Sequence, residues 1–273
     1  MSTTDLLPRR RIFESWRFDP VQMMCDAGFE PDPHQVELLE CYDSEALVLW
    51  PRQSGKSQTS AVKVLHQAYF DPGDVVILAG EKQKQAQEVY EKAYDLHHVL
   101  AKAGAVPEVE RSGDELLFGN GSRVLALPAT VESIRGYAAK LALIDEAAFT
   151  PDGTLAKVAP MLSATGGRLI CASTPNGARG WFYEAWHTGT GWRRLTVSID
   201  QLPRLSEAEI ARQRRILTPN QFRQEFLLEW LDAEQQFFST EVIEAAFADD
   251  VAPLFGPGLQ VFDDAIAPLE VAA

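Results

Sequence analysis

The segment WPRQSGKSQTS (residues 50–60) contains residue types that bind phosphate groups at the start of a helix. It matches the pattern G-x-x-x-x-G-K-S/T, except that Trp50 stands where this pattern has its first glycine. Backbone N–H groups and the positive end of a helix after such a loop point at an anion. We therefore predict that Lys56 contacts the β- and γ-phosphates and that Ser57 ligates Mg²⁺. The loop residues expected around the nucleotide are Gln53, Ser54, Gly55, Lys56, Ser57 and Gln58. The alternative is an ordinary surface turn that reads Gly-Lys-Ser.

A second motif, LALIDEAAF (residues 141–149), places two carboxylates after a run of apolar residues. Asp145 would stand at the carboxyl end of a strand, the usual ligand position in open α/β sheets. We expect Asp145 to hold Mg²⁺, directly or through water, and Glu146 to polarise the attacking water as general base. Two solvated acids at a strand end are the alternative. Together with Lys56 and Ser57, however, the motif predicts a chain that binds and hydrolyses a nucleoside triphosphate.

A third motif, CASTPNG (residues 171–177), follows another apolar run. Ser173 and Thr174 would lie at a strand's carboxyl end, where their hydroxyls could sense the γ-phosphate and pass that signal to a mobile segment. A Pro-Asn-Gly turn, with Ser and Thr filling turn positions, explains the same residues equally well.

These motifs need a sheet to position them, and the chain alternates short apolar runs with amphipathic stretches, as βαβ units do. The strand-like runs are rich in Val, Ile and Leu, as expected for a parallel sheet buried on both faces: residues 46–50, 75–80, 141–145, 168–173 and 193–199. Helices are predicted at 57–70 and 81–103, and Asn-Gly at 120–121 predicts a hairpin. The predicted fold class is an α/β P-loop NTPase of the RecA-like (ASCE) type, with a mainly parallel sheet flanked by helices and a small helical lid.

Composition sets limits on the other function classes. The chain has 46% hydrophobic residues, no apolar run near the ~18 residues of a membrane span, and no visible secretory signal. Three scattered cysteines support neither a disulfide framework nor a zinc site. The net charge of −14 lies mostly at the end. Residues 1–223 hold all 25 Lys and Arg against 28 Asp and Glu (25 − 28 = −3), and residues 224–273 hold the other 11 acids. Composition therefore neither excludes nor supports a DNA partner.

The motifs together resemble the ATPase domain of a tailed-phage terminase large subunit, the motor that packages DNA into procapsids. That family often lacks the first glycine, and WPRQSGKS fits its version of the loop. The resemblance spans roughly residues 25–245 and includes PHQVELL, FGNGSRVLALPA, SIRGYAAKLALIDEAAF, STPNGARGWFYEAW and FRQEFLLEW.

The resemblance implies further site residues. Arg52 would contact the phosphates from within the loop. Gln35 would read the adenine edge, with Phe29 or Pro33 against the ring; a polar residue at a helix N-terminus is the equal alternative. Arg135 would act in trans as an arginine finger in a neighbouring subunit's site, unless it is a surface arginine. Ser173 and Thr174 would form the coupling motif that links hydrolysis to movement of the lid.

The resemblance also implies partners and organisation. The partners are double-stranded DNA held by its backbone, the portal protein of the procapsid, the terminase small subunit and a possible separate nuclease. The chain would be a monomer in solution and a ring, a pentamer, when assembled in the host cytoplasm. Basic clusters at 8–13, 193–194 and 211–217 are candidates for DNA contact. The expected division is an N-terminal arm (1–24), an ATPase core (25–200), a helical lid (201–250) and an acidic tail (251–273). Asp263 and Asp264 are interpreted as solvated tail acids, so no DNA cleavage is expected from this chain alone.

Two other functions remain open from the sequence. A superfamily-2-like helicase fragment shares the loop, the Asp-Glu strand end and a Ser-Thr motif, but such an enzyme needs a second RecA-like domain. A non-catalytic nucleotide-binding assembly subunit needs no general base, so Glu146 argues against it.

Overall fold

An eight-stranded sheet runs through the computed structural model, which describes residues 12–129 and 136–231. The strand order is β3-β4-β5-β2-β6-β7-β1-β8. The strands are β1 (Glu45–Leu49), β2 (Val75–Gly80), β3 (Glu110–Ser112), β4 (Glu115–Leu117), β5 (Arg123–Pro128), β6 (Leu141–Asp145), β7 (Arg168–Ser173) and β8 (Arg193–Thr196).

The six strands from β5 to β8 in this order are parallel, and β3 and β4 are added antiparallel at one edge. Strand β7 lies between β1 and β6, pairing with both. Because the carboxyl ends of parallel strands share one edge, the segments after β1, β6 and β7 meet there. This topology confirms the predicted P-loop NTPase fold with its mainly parallel sheet.

Helices cover both faces of the sheet, which explains the continuous apolar strands. They are α1 (Pro20–Asp26), α2 (Pro33–Leu39), α3 (Lys56–Phe70), α4 (Gln83–Lys102), α5 (Thr154–Ser163), α6 (Gly180–His187), α7 (Glu207–Ile216) and α8 (Pro219–Glu225). Residues of α1 to α4 share one hydrophobic core, and residues of α5 and α6 share the other. The helix predicted at 81–103 is confirmed as α4, and its apolar residues Ala86, Val89, Tyr90, Ala93 and Leu96 are all buried.

The predicted Asn-Gly hairpin is confirmed between β4 and β5. The turn is closed by Phe118 N–H donating to the carbonyl of Ser122 at 2.9 Å, and Gly121 adopts the left-handed φ of +85°. Strand β3 was not predicted, since all three of its residues are exposed and show no apolar pattern.

The prediction that residues 1–24 form an N-terminal arm is wrong for residues 12–24. Trp16, Met23 and Met24 are fully buried in the core beside α3, so this segment is part of the folded body. The sequence did not indicate this role, because α1 is only seven residues long and therefore too short for its apolar residues to show a helical period.

The predicted boundary at residue 200 does not separate two units within the described chain. Residues 201–231 belong to the same compact unit as the sheet. The part of the predicted helical lid that lies within the described residues contains α7 and α8, which begin with side-chain caps from Ser206 and Thr218 respectively. Residues 232–250, the tail, Asp263 and Asp264 lie outside the described residues. Among the described helices, none has the length and apolar character to cross a bilayer.

Candidate nucleotide-binding site

The phosphate loop connects the end of β1 to the start of α3. Gly55 is the N-cap of α3 with φ +82°, and Gln53 also has a left-handed φ of +63°. Thr59 N–H donates to the Gly55 carbonyl at 3.0 Å, so helical hydrogen bonding begins at the glycine. The loop thus delivers the free N–H end of a 15-residue helix to the carboxyl edge of the sheet.

Trp50 enters the core where a glycine was expected. Its side chain is fully buried, its ring contacts that of His34 edge-on at 4.6 Å, and its backbone N–H donates to the Ser173 carbonyl at 3.3 Å. The bulky residue therefore packs below the loop, which explains how the chain forms the loop without the first glycine.

Asp145 and Glu146 lie where the sequence predicts, at the end of β6. Asp145 is only 4% exposed, and burial raises its pKa to about 6, partly opposed by the nearby Lys56 ammonium. Glu146 N–H donates to Asp145 Oδ1 at 3.1 Å. Glu146 itself has φ +52°, a left-handed conformation that is strained for a side-chain-bearing residue and is found most often at functional sites.

Two distant chain segments converge on the Glu146 carboxylate. Lys56 Nζ lies 3.2 Å from Glu146 Oε1, across 90 residues of sequence. Ser173 Oγ donates to Glu146 Oε2 at 3.3 Å and accepts from Ala148 N–H at 3.2 Å. Thr174, the next residue, is also buried. The structure therefore brings Lys56, Asp145, Glu146 and Ser173 to one edge of the sheet.

Ser57 and Asp145 are the predicted metal ligands, a hydroxyl on the first turn of α3 and a buried carboxylate at the end of β6. Among the described residues there is no cluster of three or more His, Cys, Asp or Glu that could hold a metal ion. Mg²⁺ is bound through one or two carboxylates with substrate phosphates and water, so one hydroxyl and one carboxylate fit this ion.

Arg52 contacts a partner that the sequence did not indicate. Its guanidinium lies 3.1 Å from the Glu225 carboxylate at the end of α8, and its backbone N–H donates to the Glu225 carbonyl at 2.9 Å. The side chain is 64% exposed. Arg52 therefore joins the phosphate loop to α8. Its expected contact with the phosphates stays a prediction.

Gln35 is held inside the protein. It is 1% exposed; its Nε2 donates to the Ser54 carbonyl and its Oε1 accepts from Asp32 N–H at 2.8 Å. This arrangement favours the helix N-terminus interpretation, and the reading of adenine stays a prediction. Phe29 is partly exposed and Pro33 opens α2.

The segment that follows β7 contacts two other parts of the chain: Ala148, two residues after Glu146, and Leu231, which follows α8. Asn176 Nδ2 donates to the Ala148 carbonyl at 3.2 Å, and Ala178 N–H donates to the Leu231 carbonyl at 2.9 Å. Contacts therefore run without a break from Glu146 through Ser173 to the segment after α8. Coupling of hydrolysis to movement of the lid would require such contacts.

Two of the candidate DNA-contacting arginines have internal partners. Arg193 pairs with Glu37 at 2.8 Å, and Arg194 donates to the carbonyls of Ala185 and Trp186 at the end of α6. These contacts join both arginines to the fold, and their contact with DNA stays a prediction. The α7 arginines lie on an exposed helix, whereas Arg9 to Arg11 and Arg135 lie outside the described residues.

Comparison with known proteins agrees with this geometry. The family model described as "Terminase large subunit, T4likevirus-type, N-terminal" matches residues 47–245, well over half of the chain. The chain belongs to the terminase large subunit family.

The terminase large subunit of Thermus virus P23-45 is 26% identical to this terminase chain over 184 residues. That alignment covers 61% of the chain and 37% of the relative, so the chain spans little more than a third of that relative's length. The ATPase domain of the Thermus phage P74-26 large terminase has a TM-score of 0.67 at 22% identity, covering 76% of this chain and 97% of that one. The large terminase of another thermophilic bacteriophage, solved in complex with ATP-gamma-S, gives 0.60 at 16% identity, with 73% and 53% covered. These structural likenesses show that the fold is shared.

Sequence reasoning missed two residues of the terminase site, His34 and Glu225. His34 adjoins Gln35 in PHQ, and two consecutive polar residues directly after a proline that opens a helix were the available signal. No local signal pointed to Glu225, which reaches the loop only through tertiary packing.

Proposed function

We propose that this chain is the ATP-hydrolysing part of a DNA-packaging motor, which moves double-stranded viral DNA into a procapsid through its portal. The proposal rests on one observation: Lys56 of the phosphate loop and Ser173 at the end of β7 both contact the Glu146 carboxylate. Membership in the terminase large subunit family and the structural relative in complex with ATP-gamma-S support it.

The residues divide the chemistry between them. The N–H groups at the start of α3 bind the phosphates, and Lys56 leaves Glu146 to contact β- and γ-phosphate oxygens. The freed Glu146 carboxylate orients a water molecule and accepts its proton, while Ser173 holds that carboxylate in place. Ser57 and Asp145 would hold Mg²⁺, which neutralises charge on the phosphates. Arg135 of a neighbouring subunit would stabilise charge on the γ-phosphate.

The partners are part of the same proposal. Double-stranded DNA would be held through its backbone, because a motor must move any sequence. The resemblance to the family also implies protein partners: the portal, the small subunit and a possible separate nuclease. It further implies a pentameric ring that acts in the host cytoplasm. Each of these proposals needs its own test. The lid would include the described residues 201–231, which reach the phosphate loop through Glu225.

The direct test is phosphate release by the wild type and by Glu146→Gln, with DNA and procapsid partners present. We expect Glu146→Gln to retain nucleotide binding and to lose turnover by about 10²–10⁴-fold, the usual contribution of a general base. Glu88→Gln, an exposed carboxylate on α4, is the matched control and should keep wild-type turnover. A wild type without turnover under these conditions, or an active Glu146→Gln variant, would refute the enzymatic proposal.

Lys56→Ala tests the loop itself. Removing the ammonium should abolish detectable binding of a fluorescent ATP analogue, because Lys56 stands at the start of α3, where the β- and γ-phosphates are expected, whereas the Arg52 guanidinium is paired with Glu225. Lys84→Ala, an exposed lysine on α4, should bind as the wild type does. Unchanged binding by Lys56→Ala would show that the nucleotide lies elsewhere.

A further inference from the structure

The carbonyl oxygen of Ser54 receives two side-chain hydrogen bonds from α2. His34 Nε2 lies 2.9 Å from it and Gln35 Nε2 lies 3.2 Å from it. A carbonyl oxygen can only accept, so both nitrogens donate and the His34 proton resides on Nε2. His34, Gln35 and Ser54 are all less than 10% exposed, so water does not compete for these bonds.

Both donors are themselves fixed. The Gln35 amide is oriented by Asp32 N–H at its other end, and the His34 ring is held edge-on against the buried Trp50. Gln35 also fills the space beside the loop glycine, since a Cβ at Gly55 would lie 2.0 Å from Gln35 Nε2. Helix α2 therefore packs directly against the peptide group between Ser54 and Gly55, and it leaves no room for a side chain at position 55.

The direction of the Ser54 carbonyl sets the direction of the Gly55 N–H. In a trans peptide the two groups point to opposite sides, and the described residues contain no cis peptide. A carbonyl drawn toward α2 turns the Gly55 N–H away from α2. That N–H joins those of Lys56 and Ser57 at the helix start.

We propose that His34 and Gln35 are positioning residues that hold the Ser54–Gly55 peptide in the orientation that binds the triphosphate. The inference rests on the proposed nucleotide site and assigns Gln35 a role different from reading the base. It predicts that the two residues affect every ligand carrying a triphosphate equally, whatever its base.

The test measures the affinities of ATP, GTP and inorganic tripolyphosphate, each with Mg²⁺, by calorimetry on the full chain. His34→Phe keeps a ring against Trp50 and removes the donor. His34→Gln restores a donor, because the Gln amide nitrogen reaches the position of histidine Nε2. Gln35→Met removes the second donor at similar size. Thermal unfolding of each variant checks that the fold is kept.

We expect His34→Phe and Gln35→Met each to weaken the binding of all three ligands by about 5- to 10-fold, the effect of one lost hydrogen bond, with His34→Gln recovering part of the affinity. A Gln35→Met protein that loses ATP affinity alone and binds tripolyphosphate normally would overturn the proposal in favour of base reading. Wild-type affinities in both His34→Phe and Gln35→Met would also overturn it. If only one variant folds, the affinities of that variant for the three ligands decide between the positioning role and base reading. A wild type that binds none of the three ligands would instead reject the nucleotide site, and the positioning role with it.

Discussion

The hydroxyl of Ser173 contacts the Glu146 carboxylate and the backbone N–H of Ala148 at once. It is fully buried, so both hydrogen bonds are shielded from water. In the proposed mechanism, this side chain orients the general base, Glu146.

Ser173→Ala should therefore lower ATP turnover by roughly 10- to 100-fold, because a hydrogen bond to a charged group contributes about 1.5–3 kcal/mol. Nucleotide affinity should change little, since Lys56 and the loop are intact. The measurement is steady-state phosphate release with a parallel binding assay. Ser163→Ala, on the exposed end of α5, is the control. A Ser173→Ala variant with full turnover would mean that Glu146 is oriented without this contact.

At the scale of elements, α3 and α4 are joined by a buried polar contact as well as by apolar packing. The Tyr69 hydroxyl and His97 Nδ1 share a hydrogen bond of 2.9 Å, and both residues contact Phe118 below the hairpin. Burial lowers the pKa of His97 below its usual 6.5, with the nearby Glu108 partly opposing this effect. The folded state therefore favours the neutral imidazole.

This pKa shift predicts a pH-dependent stability. Below pH 6.5 the unfolded chain binds a proton at His97 before the folded chain does, so the free energy of unfolding falls as the pH falls. His97→Asn removes this titration. The stability difference between the wild type and His97→Asn should thus shrink from pH 7 to pH 5 in urea titrations. A difference that stays constant over this range would contradict the assignment.

At the scale of the whole molecule, the proposed ring makes each site depend on two subunits. Arg135 lies outside the described residues, and its in-trans role is a prediction from the family. Arg135→Ala should reduce the turnover of assembled rings by about 10³–10⁵-fold, with a smaller effect on nucleotide affinity. Mixing it with Glu146→Gln subunits should restore partial turnover, since some interfaces then combine an intact Glu146 with a neighbour's intact Arg135. Mixtures that remain inactive would argue against action in trans.

The whole chain is also expected to leave DNA uncut. A two-metal nuclease needs several carboxylates on one surface, and Asp263 and Asp264 are interpreted as solvated tail acids. Plasmid DNA incubated with the purified chain and Mg²⁺ or Mn²⁺ should remain supercoiled on a gel. Cleavage that disappears in Asp263→Asn or Asp264→Asn would contradict the interpretation of these residues as solvated tail acids.

Local sequence patterns predicted the central strands, the phosphate loop and the acids at the end of β6. Each of these depends on a local pattern: apolar runs bounded by polar residues, and a Gly-Lys-Ser at a strand-to-helix junction. Such patterns involve residues that are close together in the chain, so Lys56 was expected at a helix start and Asp145 and Glu146 at a strand end, where they lie. Their roles in catalysis stay predictions.

Only the tertiary structure decided which distant residues hold the site together. Arg52 with Glu225, and Ser54 with His34, are joined across many residues of chain, and no local pattern encodes such pairs. The same holds for the burial of Trp16 and Met23, because whether a short helix packs depends on the surface that α3 offers it. The physical reason is common to all three: these contacts follow from strand order and helix packing, which bring together segments that carry no signal of one another.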